Sequence, residues 1–201
     1  IRTGQDVSDK EIVAGRFTLG YIGSDSWTMR FTADRIDDAS AVRGAQMLAV
    51  NRFAPTVPPL DDRYDVRNGM PNVNDTTMNG YGLTFDFKLS EDWSLKSVSA
   101  YRESDTETNI DFDTLPNIIA DVKALYSDNQ LSQEFQLNYD AGGAFTAVGG
   151  VYWFQGEAGG TVLNNFFNLS FGNTNGQVDT DSIAVYGEGT YRFDDQWSMT
   201  L

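Results

Sequence analysis

Closely spaced carboxylates are the residues of this sequence whose types could most directly do chemistry. They occur as the pairs Asp37–Asp38, Asp61–Asp62 and Asp194–Asp195, and as Asp111 with Asp113 two positions further on. Paired carboxylates can transfer protons or hold calcium. None of them has the loop spacing of a known calcium motif, and the third pair is explained more simply as a hairpin turn. We therefore expect no catalytic residue and no metal site among them.

Other chemistry is limited by what the sequence lacks. It has no His and no Cys, so a Ser–His triad, a disulfide and a thiolate metal site are excluded within this chain. The glycine pairs at 142–143, 149–150 and 159–160 lack the spacing and the Lys of a phosphate-binding loop. A net charge of −15 would repel nucleic acid phosphates. The expectation is a protein that is not an enzyme, has no cofactor and does not bind nucleic acid.

An aromatic cluster is the remaining candidate for a binding role. Phe166, Phe167 and Phe171 lie close together in the segment NNFFNLSFGNTNG. These rings could contact a ligand, or they could fold back on one another as a small core within a loop. The sequence leaves both interpretations open.

The elements that position these residues are indicated by a two-residue alternation, which is clearest in Leu131–Tyr139 (LSQEFQLNY). Its odd positions are apolar except Gln133, and its even positions are all polar. Successive side chains of a strand point to opposite faces, so this pattern predicts a strand with one apolar and one polar face. In a soluble protein the apolar face would meet a core, whereas in an outer-membrane barrel it would meet lipid.

Similar segments along the chain predict four hairpins with short turns, although the pattern of Trp93–Arg102 is imperfect and the register of Phe145–Gln155 cannot be assigned. The predicted strand pairs are Ile12–Ile22 with Trp27–Arg35, Asn79–Leu89 with Trp93–Arg102, Leu131–Tyr139 with Phe145–Gln155, and Ser182–Phe193 with Trp197–Leu201. Between the hairpins we predict long loops at about 37–78, 103–127 and 156–180, with a weak helix signal at Ala39–Val50. Loops of this length suggest a functional surface.

Three features favour strands that cross a bilayer. The predicted strands run about 9–12 residues, close to the 9–11 needed by a tilted barrel strand. Short turns at one end and long loops at the other match the two ends of an outer-membrane barrel. Aromatic residues flank the short turns, as an interfacial girdle would; they are Tyr21, Trp27, Trp93, Tyr139, Phe145, Phe193 and Trp197.

The positions of the charged side chains also favour strands that cross a bilayer, because these side chains fall on the polar face of their strands. An Arg or Lys facing lipid at the bilayer midplane would cost roughly 2–4 kcal/mol. The residues predicted to face the lumen are Arg30, Asp86, Lys96, Arg102, Glu134, Gln136, Glu188 and Arg192. Two other interpretations stay open: a complete eight-stranded barrel with a structural or adhesive role, and a soluble β-sandwich that acts as a binding module.

Three elements of the sequence also resemble one family. They are S-x-x-A-Y-R at Ser97–Arg102, Q-x-S-Q-E-F-Q at Gln130–Gln136 and G-x-Y-x-F at Gly150–Phe154, in that order. Together with the flanking segments, they resemble the barrel of TonB-dependent outer-membrane receptors from about residue 12 onward. This resemblance implies an all-β, up-and-down antiparallel barrel segment of about eight strands, within a 22-stranded barrel whose lumen is plugged.

The resemblance also implies a function and a location. The protein would lie in the bacterial outer membrane, in contact with lipid, and would import a scarce nutrient such as a metal chelate, cobalamin or an oligosaccharide. The inner-membrane TonB complex would drive this transport through a plug domain. No plug and no TonB-binding segment are recognisable in these 201 residues. We therefore expect residues 1–201 to be an internal part of the barrel domain of a longer protein.

Overall fold

The structure, a computed structural model, describes residues 6–201; residues 1–5 of the predicted barrel segment lie outside this description. The described residues form one antiparallel sheet of eight strands, and each strand pairs with the next strand in the chain. The strands are β1 (Ile12–Ser24), β2 (Trp27–Asp38), β3 (Asn74–Lys88), β4 (Trp93–Asp111), β5 (Ala120–Asp140), β6 (Phe145–Phe166), β7 (Leu169–Arg192) and β8 (Ser198–Thr200). The fold class is therefore the predicted up-and-down all-β segment.

The two ends of the sheet differ. Short turns at 25–26, 89–92, 141–144 and 193–197 lie at one end, which we call the turn end. The opposite end, the loop end, carries the connections 39–73, 112–119 and 167–168. The sequence predicted this asymmetry, although two of the connections at the loop end are much shorter than expected.

Strand register places even-numbered and odd-numbered residues on opposite faces of the sheet. Within the strands, even-numbered residues oppose even-numbered residues: Asp86 faces Lys96, and Lys96 faces Gln136. The same holds from β1 to β8 except beyond two register shifts, one next to the β1–β2 turn and one at the tip of the β6–β7 hairpin, so the sheet has one even face and one odd face. The alternation found in single strands therefore extends across the whole sheet.

The odd face carries an apolar band near the turn end. On β4 this band extends from Trp93 to Tyr101, and on β5 from Tyr139 to Leu131, directly opposite. Nine residues of a strand tilted by about 45° rise roughly 20 Å, close to the apolar band of about 25 Å on outer-membrane barrels. Beyond the band the odd face becomes polar, beginning with Glu103 on β4 and Asn129 on β5.

Aromatic rings at the turn end contact one another across strands. Trp93 and Tyr139 have ring centroids 4.8 Å apart, and Tyr139 lies 6.1 Å from Phe145. Tyr21 and Trp27 form a similar pair at 5.5 Å. Rings in this position favour the predicted interfacial girdle, because the rings of Trp and Tyr have one apolar and one polar end.

Three polar side chains interrupt the apolar band. Ser97, Ser99 and Gln133 lie on the odd face, where they made the sequence pattern imperfect. Ser99 donates to the Gln133 side-chain oxygen, and Gln133 Nε2 donates to Ser97 Oγ at 3.0 Å and to the Glu134 carbonyl. The group is therefore satisfied internally, which lowers the cost of placing polar atoms on an apolar surface.

No second sheet covers the apolar band in the described part of the chain. Phe135 and Tyr191 are each 48% exposed, and Phe85 lies on the same uncovered face. The soluble β-sandwich is therefore wrong. The closed eight-stranded barrel also differs from the structure, since β1 pairs with β2 alone and β8 with β7 alone among residues 6–201.

The predicted loop bounds need correction. Residues 103–127 were expected to form a loop, but β4 continues to Asp111 and β5 begins at Ala120. Residues 156–180 are almost entirely strand, since β6 and β7 are joined by the two residues 167–168. Beyond the apolar band the alternation of the odd face ends, and in β5 the apolar residues Ala120, Val122 and Ala124 lie on the even face instead. The pattern therefore does not continue from the predicted strands into these extensions. The connection after β2 spans 39–73, and Ala39–Val50 forms no helix.

None of the described residues is helical, so no helix long and apolar enough to cross a membrane is present among them. Buried side chains are few and cluster at the loop end rather than along the sheet. Ala54, Leu115, Val122 and Ala124 are each at most 8% exposed, and Leu115 is fully enclosed at 1%. The loop end is therefore the compact part of the structure.

Candidate functional site

All eight residues predicted to face the lumen lie on the even face. They are Arg30 on β2, Asp86 on β3, Lys96 and Arg102 on β4, Glu134 and Gln136 on β5, and Glu188 and Arg192 on β7. The structure therefore brings them to one surface, as expected. Whether this surface faces a lumen stays a prediction.

Five of these residues take part in side-chain contacts, two of which cross strands and one of which lies within β5. Lys96 Nζ lies 3.4 Å from Asp86 Oδ1, and Gln136 Nε2 donates to Glu134 Oε1 at 3.0 Å. Arg102 Nη2 donates to Asp34 Oδ2 at 2.8 Å. Each contact is half-exposed, so its contribution to stability is small, at about 0–1 kcal/mol.

Arg30, Glu188 and Arg192 differ from these five. No side-chain hydrogen bond or ion pair joins any of the three to another described residue. Their charges are fully available to a ligand, to solvent or to a part of the protein outside residues 6–201.

Two residues outside the eight predicted for the lumen complete the contacts of the even face. Asp34 lies between Arg16 and Arg102, at 3.6 and 2.8 Å, and its side chain is only 16% exposed. Tyr186 on β7 donates its hydroxyl to Glu134 on β5, reaching across β6. Both connections span three strands. The alternation pattern of a single strand does not predict contacts between strands that are not adjacent.

Glycines at the crossing points make these connections possible. Gly80 lies opposite both Asp34 and Arg102, and a Cβ there would approach Asp34 Oδ2 to 2.9 Å and Arg102 Nη2 to 3.1 Å. Gly150 lies opposite Tyr186, and a Cβ there would lie 2.4 Å from the Tyr186 ring. The missing side chain thus leaves room for a longer one to pass over the strand.

The aromatic residues predicted for ligand contact lie at the loop end, in the turn between β6 and β7. Phe166 and Phe171 have ring centroids 5.3 Å apart, and Phe167 is the same distance from Phe53 of the 39–73 connection. The rings therefore contact one another in pairs. Phe167 and Phe171 nevertheless remain 57% and 74% exposed, so apolar surface is left for a ligand.

The turn itself is strained. Phe167 and Asn168 both have positive φ, 54° and 61°, as a two-residue turn with two left-handed positions requires. Asn tolerates this conformation, whereas a residue such as Phe costs roughly 1–2 kcal/mol there. Strain of this kind persists where the surroundings hold it, and it often accompanies function. The structure keeps an exposed ring at the tip of its longest hairpin.

The 39–73 connection packs onto the ends of β4 and β5. Gly69 N donates to Asp111 Oδ2 at 2.7 Å, and Asn109 Nδ2 donates to the Pro71 carbonyl at 3.0 Å. A Cβ on Gly69 would lie 2.6 Å from the Leu115 carbonyl oxygen, so this close approach requires glycine. The two connections 39–73 and 112–119 therefore form one packed unit.

A group of three carboxylates lies beneath this unit. Oxygen atoms of Asp111, Asp113 and Asp121 are within 4.8 Å of one another, and the last two residues are 7% and 4% exposed. The sequence paired Asp111 with Asp113 but missed Asp121, which β4–β5 register places directly opposite Asp111. Burial, and then the charges of the other two carboxylates, raise the pKa of Asp121 to about 6.

Comparisons with known proteins give a family and a structural likeness. A family model described as "TonB dependent receptor-like, beta-barrel" matches residues 12–201. The ferric yersiniabactin uptake receptor FyuA from Yersinia pestis is similar in structure, with 13% sequence identity and a TM-score of 0.46. The match covers 95% of this chain and 37% of that receptor, so the chain spans little more than a third of its length. No curated protein sequence matches.

Proposed function

The chain belongs to the TonB-dependent receptor-like β-barrel family, and from this premise we propose that its protein is an outer-membrane transporter that imports a scarce nutrient. Residues 1–201 would form part of the barrel domain. The remaining strands, the plug and the segment that binds TonB would come from elsewhere in the protein. The function is transport without covalent chemistry.

The division of the sheet into two faces is the observation that carries the proposal. An apolar band about as tall as a bilayer core lies on the odd face near the turn end, and at the height of this band charged residues keep to the even face. In an outer-membrane barrel the apolar side contacts lipid and the charged side faces the lumen. The sheet is open at β1 and β8, and an open edge in lipid would leave backbone groups without partners. Further strands are therefore expected on both sides.

The loop end would face outward and capture the ligand. Strands β4 to β7 continue about ten or more residues beyond the apolar band and place the aromatic tip of the β6–β7 hairpin well above the bilayer. Exposed Phe167 and Phe171 would contact the ligand there. The chemistry of these residues is compatible with a metal chelate, cobalamin or an oligosaccharide.

Uptake in cells with and without TonB tests the proposed function. The full-length protein would be produced together with its own TonB, and uptake of a radiolabelled ferric chelate, cobalamin and an oligosaccharide would be measured. We expect uptake of one probe that depends on both the receptor and TonB. Uptake of none of the probes, equal uptake without TonB, or extraction of the protein by buffer without detergent would contradict the proposal.

The role of the aromatic tip is tested by Phe167→Asn, because Asn accepts the left-handed backbone while removing the ring. We expect roughly tenfold weaker binding of the transported probe, about 1.4 kcal/mol, with an unchanged amount of folded receptor. Tyr64→Asn is a suitable control, since Tyr64 is an exposed aromatic residue of the 39–73 connection, 77% exposed. Equal affinity of wild type and Phe167→Asn would remove Phe167 from the ligand site.

A further inference from the structure

Buried oxygen atoms without partners occur at strand positions next to the three carboxylates of the loop end, and one belongs to a carboxylate itself. Asp121 Oδ1 and the side-chain carbonyl oxygens of Asn109 and Asn165 are buried and accept no hydrogen bond within the described residues. Register makes them neighbours, since Asp121 opposes Asn165 on β6, and Asn109 lies two residues before Asp111 on the same face of β4. An unpaired buried acceptor is costly, and three at neighbouring positions of the sheet require an explanation.

The three carboxylates are not equivalent. Asp113 accepts hydrogen bonds from the backbone N–H groups of Leu115, Ile119 and Ala120, at 2.8, 3.0 and 2.6 Å. Asp111 accepts from the backbone of Gly69 and Thr114, both at 2.7 Å.

These bonds hold the connections in place but leave lone pairs on each carboxylate. Asp121 has no such compensation, although its side chain is buried.

No positive side chain neutralises the group. Among the described residues, no Lys or Arg forms an ion pair with Asp111, Asp113 or Asp121. Lys123 lies two residues from Asp121 on the same face, but its Nζ is 2.6 Å from Glu107 Oε1. Buried charge is normally paired or coordinates a metal ion.

We propose that Asp111, Asp113 and Asp121, with the side-chain oxygens of Asn109 and Asn165, form a binding site for a hard divalent cation, Ca²⁺ in preference to Mg²⁺. The group offers oxygen only, which suits hard cations, and it contains no His or Cys for a transition metal. Ca²⁺ accepts six to eight oxygens in irregular geometry, whereas Mg²⁺ demands a near-octahedral set. The site would tie the 39–73 and 112–119 connections to the ends of β4, β5 and β6.

This inference does not depend on transport, so it is tested by binding of the metal alone. Calcium bound per molecule of full-length protein would be measured by equilibrium dialysis with ⁴⁵Ca²⁺ at neutral pH, for wild type, Asp121→Asn and Asp105→Asn. We expect Asp121→Asn to bind one Ca²⁺ fewer than wild type, and Asp105→Asn to bind as much as wild type. The control residue is an exposed Asp on the same strand and face as Asp111.

Hydrogen exchange of wild-type protein gives a second test that requires no substitution. Adding Ca²⁺ after removal by chelator is expected to slow exchange of the Leu115, Ile119 and Ala120 amides at least about tenfold, because these amides are bonded to Asp113. Mg²⁺ at the same concentration is expected to slow them less. Equal calcium stoichiometry in the variants, or unchanged exchange of these amides on adding Ca²⁺, would overturn the proposal.

Discussion

At the scale of single residues, glycines decide which side chains meet on the even face. A β-strand normally separates side chains on its two neighbours by about 9–10 Å, twice the spacing of adjacent strands. Gly80 and Gly150 remove that obstacle, so Arg102 reaches Asp34 and Tyr186 reaches Glu134 over an intervening strand. Each glycine lowers the strand propensity of its position by roughly 0.5–1 kcal/mol, and the contacts it allows offset this cost.

Gly80→Val is expected to uncouple Asp34 from Arg102. A double-mutant cycle with Asp34→Asn and Arg102→Gln should give a coupling free energy of about 0.2–1 kcal/mol in the wild-type background. In the Gly80→Val background it should fall to about zero, since the new side chain occupies the space between the two groups. The measurement is urea unfolding of the full-length protein in detergent. An undiminished coupling would show that the pair does not need the glycine.

Tyr186→Phe tests the second bridge, because it removes the hydroxyl and keeps the ring over Gly150. We expect a loss of about 0.5–1.5 kcal/mol of unfolding free energy, the usual contribution of one hydrogen bond. Tyr191→Phe on the same strand is the control, since Tyr191 lies on the odd face and its ring contacts Phe193. Equal effects of the two substitutions would argue against the bond to Glu134.

At the scale of elements, the 39–73 connection is held at the loop end by a few close contacts rather than by secondary structure of its own. Gly69 is the tightest of these, since its Cα hydrogen faces the Leu115 carbonyl where any side chain would clash with backbone. Backbone cannot move aside as a flexible side chain can. Docking of this connection should therefore depend strongly on residue 69.

Gly69→Ala is expected to release the connection without unfolding the sheet. Trypsin should then cleave the folded full-length receptor on intact cells several times faster after Arg43, Arg52, Arg63 or Arg67, all of which lie in this connection. Gly143→Ala is the control, because nothing lies within 4 Å of its Cβ position. If both variants are cut at the wild-type rate, the close approach at Gly69 does not hold the connection.

The elements also show how far the sequence could predict this fold. Hairpins near the turn end were predictable, because one apolar face per strand imposes a period of two, as in Leu131–Tyr139. The extensions of β4 to β7 were not, since neither Glu103–Asp111 nor Gly156–Phe166 shows a sustained alternation of apolar and polar residues. In the same way, Asp111 with Asp113 was visible in the sequence, whereas Asp121 joins them only through strand register.

At the scale of the whole molecule, the alternation of odd and even residues between the two faces of the sheet can be measured along one strand. Odd residues of β5 from Leu131 to Leu137 lie in the apolar band, and even residues lie among charged groups. Residues 1–201 contain no Cys, so single cysteines can be introduced in this segment without first replacing a cysteine of these residues. We expect nitroxide labels at 131, 135 and 137 to be relaxed mainly by oxygen, which concentrates in lipid.

Labels at 132, 134 and 136 of the full-length protein should be relaxed mainly by a water-soluble nickel complex. The two accessibilities should oscillate with a period of two residues and opposite phase. Position 133 is a useful internal comparison, since Gln133 is a polar residue in the apolar band. Oxygen and nickel accessibilities that do not alternate would contradict the assignment of the odd face to lipid.

Pairing of every strand with its immediate neighbour in the chain has a consequence for how the molecule is assembled. Among the eight strands of residues 6–201, each pairs with the strand that precedes or follows it, so this part of the sheet can grow by adding one strand at a time to a free edge. The two-residue turn at Phe167–Asn168 allows β6 and β7, the longest strand pair, to form their hydrogen bonds progressively from the turn. The 39–73 connection between β2 and β3 is the exception because of its length. We expect insertion to pause at the pairing of these two strands.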